Sequence, residues 1–146
     1  QKKLVKMKKA SEDEKKAKAY YYLAIINFTD NNYRAAVNYA NKALQINPND
    51  GRCYMIIDNA YAATASSCGS GEIGSRAGYW AAVDKFYKAK QVDNDPDVVN
   101  DANQAIAKYS RHFPTTERLF YNEVAKGTSW SINCWYSETT TVRSSD

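Results

Sequence analysis

Residues able to carry out chemistry are few in this chain, and they are scattered. The single histidine, His112, stands directly before Phe113-Pro114. A general base needs a positioned nucleophile or acid beside it, and no Ser or Cys motif supplies one. His112 therefore reads as a residue at a helix C-terminus, where the helix dipole favours a cation. Cys53, Cys68 and Cys134 are an odd number at no metal-ligand spacing, which excludes a dense disulfide scaffold and a zinc site. Cys134 falls between Asn133 and Trp135 on an expected strand, where a small packed side chain is the expectation rather than a nucleophile. "GSGEIG" (69–74) lacks the Gly-Lys-Ser/Thr ending and the preceding strand of a phosphate loop. "DNDPD" (93–97) is interrupted by Pro96, which suits a helix start capped by Asp95 better than a calcium loop. No catalytic residue, metal site or cofactor is expected.

The elements that would position a site are those of one domain. The 146 residues have ordinary apolar and charged fractions, which set disorder aside. The net charge of +4 is concentrated at one end, because residues 1–18 hold eight Lys against Glu12, Asp13 and Glu14. The remainder is close to neutral, so a nucleic-acid footprint is not expected and the lysines read as a solvated helix face. No apolar run reaches the ~20 residues of a membrane span. The chain opens on Gln1 rather than Met, which leaves open that a targeting segment has been removed.

Self-similarity organises the middle of the chain. A shift of 34 sets Tyr20 on Tyr54 and Leu23 on Ile57, with Ala24 meeting Asp58 as a mismatch. A shift of 46 sets Tyr33 on Tyr79, Ala36 on Ala82, Val37 on Val83, Ala43 on Ala89 and Ile46 on Val92. The unit is therefore a pair of helices, and its second copy carries twelve extra residues between them. The insertion is the Ser- and Gly-rich "SSCGSGEIGSRAG" (66–78), read as a loop or an extended helix connection. In "YRAAVNYANKALQI", Tyr33, Ala36, Val37, Ala40, Ala43 and Leu44 share one helical stripe, and the alanines permit close approach of a second helix. Pro48 ends that helix.

These residues resemble the tetratricopeptide repeat. In residues 17–50, Tyr20 stands at the family's usual Trp, Leu23 and Ala24 match its Leu-Gly pair, and Tyr33, Ala36, Ala43, Leu44 and Pro48 follow its pattern. Residues 51–96 fit as an interrupted second copy through Tyr54, Ile57, Tyr61, Tyr79, Ala82, Phe86 and Ala89. Asp58 departs from a position where the family prefers a small residue, and Asn27 and Ala40 depart in the first copy. A further helix over 96–113, with Val98, Ala102, Ala105, Ile106 and Tyr109 on one face, would cap the stack. The resemblance implies an all-α stack of antiparallel helical hairpins in a right-handed superhelix, working as a scaffold that binds a protein or peptide partner. It implies a concave groove lined by Tyr21, Ile25 and Phe28 from the first copy and Arg52, Met55 and Asn59 from the second. The family's carboxylate clamp does not carry over, since Tyr21 stands where a Lys is expected.

Both ends depart from the repeat. Ser11 and Glu14 form a capping-box pattern, predicting a helix start there that separates residues 1–10, read as the end of a preceding repeat or as a charged extension. The helical domain then spans 11–113, and 114–146 form an extension. "TTERLFYNEVAKG" predicts a short helix closed by Gly127. Beyond it, Trp130, Ile132, Cys134 and Tyr136 alternate with polar neighbours, predicting a β-hairpin that turns near Ser137 and Glu138 and packs on the last helices. This ending is similar to that of secreted or envelope-associated tetratricopeptide proteins of Bacteroidetes-type bacteria, which implies a periplasmic or envelope setting. An alternative function follows, a structural subunit of an envelope or outer-membrane assembly that docks through the hairpin edge and the Gly-Ser loop. If the protein is exported, Cys68 and Cys134 are the preferred disulfide pair, one in a loop able to reach and the other near the chain end, with Cys53 left free.

Overall fold

The computed structural model describes residues 2–146. Most of the chain is helical, and a short antiparallel hairpin closes it. Helix α1 (Lys2–Thr29) and α2 (Tyr33–Ile46) form one hairpin, α3 (Gly51–Ala63) and α5 (Ala77–Val92) a second, and α6 (Pro96–Ser110) packs on α5. Two short helices, α4 (Gly71–Gly74) and α7 (Thr116–Tyr121), and the strands β1 (Ser129–Asn133) and β2 (Ser137–Thr141) complete the described residues.

Local sequence accounts for the helix boundaries. Asn31 adopts a left-handed φ of 62° in the α1–α2 turn, a conformation Asn tolerates better than most side chains. The α2 stripe of Ala36, Val37, Ala40, Ala43 and Leu44 is buried, as its period predicts. Asp50 caps α3 by accepting from the Arg52 N–H at 3.0 Å, and Asp95 caps α6 by accepting from Asp97 N–H at 2.9 Å, one residue before Pro96. Gly51 lets α3 start against α5 and α6, because a Cβ there would sit 2.7 Å from Val98 Cγ1 and 2.8 Å from Asp93 Cβ. The core centres on α3 and α5, where Trp80 and Phe86 are fully enclosed. Trp80 donates Nε1–H to the Arg143 carbonyl at 2.9 Å, which ties the core to the end of the chain.

Several expectations are corrected. The helix start at Ser11 is absent: α1 runs unbroken from Lys2, and residues 2–10 extend it rather than forming a separate unit. "KKLVKMKKA" holds good helix formers with no Gly or Pro, so a capping pattern at Ser11 has no break to cap. Of the two readings of the insertion 66–78, the structure matches the helix connection rather than the loop. The insertion holds a 3-10 turn (Ala65–Ser67), α4 with Ile73 buried, and the first residues of α5.

Helix α7 stops at Tyr121 rather than at Gly127. Gly127, at φ 85°, instead opens the hairpin, its N–H donating to the Val142 carbonyl at 2.9 Å. The hairpin turns at Cys134–Tyr136, before the expected Ser137 and Glu138, because Ser137 pairs with Asn133 as the first residue of β2. It packs on α3 and α5 rather than on the last helices. Tyr136 stacks on Tyr61 with centroids 3.8 Å apart, and Trp130 meets Trp80 edge-on at 5.9 Å.

Candidate binding groove

Helical spacing puts Tyr21, Ile25 and Phe28 on one side of α1, and Arg52, Met55 and Asn59 on one side of α3. Since α1 and α3 lie side by side, all six residues border one cleft of about 200 Å³, together with Ile56. Each of the seven is half-buried, so the cleft is open to solvent rather than sealed by a neighbouring helix. It runs on into a second depression of about 290 Å³ that shares Met55 and Asn59 and takes Phe86, Asp101, Lys108 and Tyr109 as its further wall. Three helices, α1, α3 and α6, thus form one continuous concave face.

Two polar groups at the centre of this face are paired within the fold. Arg52 bonds Asp101 of α6 at 3.1 Å, with side chains 40% and 45% exposed; at that exposure the pair orients the guanidinium more than it stabilises the fold. The amide of Asn59 is occupied at both ends, donating to Met55 O at 2.7 Å and accepting from the Tyr109 hydroxyl at 2.9 Å. Burial raises the Tyr21 phenol, with the Arg52 charge opposing, so the hydroxyl stays neutral in the physiological range. What remains for a ligand is aromatic and aliphatic surface, an ion pair at its edge, and the side chains of Gln104 and Lys108 on the α6 side.

The other candidates lie elsewhere. Cys68 and Cys134 form a disulfide with Cα atoms 5.3 Å apart. Cys134 is thus neither on a strand nor packed inside; it sits exposed in the hairpin turn and fastens that turn to the insertion. Cys53 is a buried free thiol beside Asp50, and burial pushes its pKa far up, which leaves it inert. His112 lies past the end of α6, stacked on Tyr79 at 4.6 Å. Among the described residues, no three His, Cys, Asp or Glu side chains gather as metal ligands.

Sequence reasoning missed the α6 wall. Asp101, Ala105 and Lys108 recur at i, i+4 and i+7, a signal that α6 presents a face to α3 in the same way that α3 faces α1. Taking α6 as a cap hid that face. Comparison with protein-family models and with curated proteins returns no match.

Proposed function

We propose that the chain is a tetratricopeptide-type scaffold, not an enzyme, that binds a segment of a protein partner along the face formed by α1, α3 and α6. One observation carries this reading: six residues placed on a groove by the repeat pattern border a single open cleft. Its aromatic and aliphatic lining favours a segment that inserts aromatic or aliphatic side chains. A periplasmic or envelope setting is part of the proposal. Its support is the Cys68–Cys134 disulfide, which persists in oxidising compartments, and no described helix is long and apolar enough to cross a membrane.

Selection of random peptides on the intact protein tests the groove. Peptides carrying aromatic or aliphatic anchors are expected, with affinity falling at least about tenfold, or 1.4 kcal/mol, in a Tyr21→Ala, Phe28→Ala, Met55→Ala variant of unchanged helicity. Equal binding to that variant would refute the groove. A second reading, the envelope subunit that docks through its C-terminal end, is favoured by Phe120 and Tyr121 of α7, which are 85% and 74% exposed. It requires that selected partners lose binding in a Phe120→Ser, Tyr121→Ser variant while the groove variant retains it.

A further inference from the structure

A second concavity lies away from the groove, where the insertion meets the C-terminal extension. Its volume is about 160 Å³, and buried Phe113 and Pro114 form an apolar wall. Three arginines from separate elements line it: Arg76 at the start of α5, Arg111 at the end of α6 and Arg118 on α7. Glu72 of α4 is the one acidic residue of the lining, which leaves an excess of two positive charges.

The arginines are unequally committed. Arg118 donates Nε–H and Nη2–H to the two oxygens of Glu72. Arg76 donates only to a carbonyl, His112 O at 2.9 Å, and Arg111 only to its own helix, Ala107 O at 3.3 Å. Neither pairs with a carboxylate among the described residues. Two further acids lie near the rim. Asp146 accepts from the Thr116 N–H at 2.7 Å and its hydroxyl at 2.9 Å, which satisfies the start of α7, and Glu117 stands beside Arg118 on that helix.

A cleft with unpaired guanidinium donors suits an oxyanion. Donors from three separate elements favour a tetrahedral group with three terminal oxygens and two charges over a planar carboxylate with two oxygens and one. We propose that this cleft binds the dianion of phosphate or of a phosphate monoester, held by Arg76 and Arg111 with the remaining N–H groups of Arg118. The apolar wall of Phe113 and Pro114 receives the ester's organic group when there is one.

The test is an NMR amide titration of the intact, oxidised protein with inorganic phosphate, phenyl phosphate and acetate, above about pH 7 where the phosphate is mostly dianionic. Saturable shifts at residues 111–118 are expected with phosphate, and acetate is expected to bind at least about tenfold more weakly. Tighter binding of phenyl phosphate identifies an ester as the ligand, and equal binding identifies free phosphate. Arg111→Gln, whose only bond is within its own helix, should weaken phosphate about tenfold without unfolding the chain. Glu72→Gln should strengthen it, because the internal anion is gone, and a damaged fold cannot produce that gain. The proposal is overturned if phosphate gives no saturable shift, if acetate binds equally well, or if Glu72→Gln weakens phosphate.

Discussion

Asp58 gives the sharpest prediction. The first copy has Ala24 at the equivalent position, and here the carboxylate is fully enclosed, with no other residue donating a hydrogen bond to either oxygen and only its own backbone N–H nearby. Burial pushes its pKa well above the usual carboxylate range, and Lys85 only partly opposes this. The Lys85 ammonium lies 3.4 Å from Glu138 of β2, so much of its charge is already met. The other groups facing Asp58 are the phenols of Tyr61 and Tyr109, which are neutral. Above the ordinary value of 3.8 the unfolded chain has released a proton that the folded chain keeps. Stability therefore falls with rising pH, by up to about 1.4 kcal/mol per pH unit, until the raised folded value is passed. Asp58→Asn keeps the shape and removes the titration. Its fixed cost of burying an amide does not depend on pH, so the stability of the variant relative to the parent should climb by that slope. Urea unfolding of both proteins at about pH 4.5, 5.5 and 6.5 measures the difference. Glu72 and Asp146, whose pKa values are lowered, act mainly at the acid end of that range and below, in the same way in both proteins. Parallel stability curves across that range would refute the claim that the carboxyl is buried without a partner.

Three further outcomes follow from the packing. Reducing the Cys68–Cys134 bond, which spans 66 residues, should cost about 4 kcal/mol by the chain-entropy account, and an unchanged urea midpoint under reductant would contradict it. Trp80→Phe leaves the Arg143 carbonyl without its donor and a gap beside Trp130, so a loss of about 2 kcal/mol is expected by calorimetry; a change under about 0.5 kcal/mol would mean that this contact does not hold the hairpin. Residues 2–12 of α1 are exposed throughout and should show the fastest amide exchange of the helices. Ser11→Pro should then lower helicity without moving the global unfolding midpoint, whereas a shifted midpoint would show that the overhang is coupled to the core.

How much was legible depended on whether the deciding interaction was local. The α2 stripe could be read because Ala36, Val37, Ala40, Ala43 and Leu44 obey a period set by the helix itself. That Tyr21 and Met55 would border one cleft could be read because consecutive first helices, once side by side, bring equivalent positions to one surface. The hairpin turn could not, since alternation continues past Asn133 while the turn is fixed by distant partners, the Tyr136 stack on Tyr61 and the bond to Cys68. Ser11 misled for the opposite reason. A capping pattern permits a helix start, but only a break in the preceding residues requires one.

Arg76, Arg111 and Arg118 were illegible because they sit at helix ends and on a short helix, where no periodicity relates them. What brings them together is the pair of departures from the repeat. The insertion supplies Glu72 and Arg76, the extension supplies Pro114, Thr115, Arg118 and Ser145, and the disulfide joins insertion to extension. A helical hairpin stack without them would keep the groove and lose the arginine cleft. The two proposed sites are therefore separable: substitutions at Tyr21 or Met55 should leave the phosphate shifts proposed for residues 111–118 intact, and Arg111→Gln should leave the proposed peptide binding intact. Transfer of either effect to the other site would mean that the cleft and the groove are coupled through α3 and α5, and the division of labour argued from their separate origins would fail.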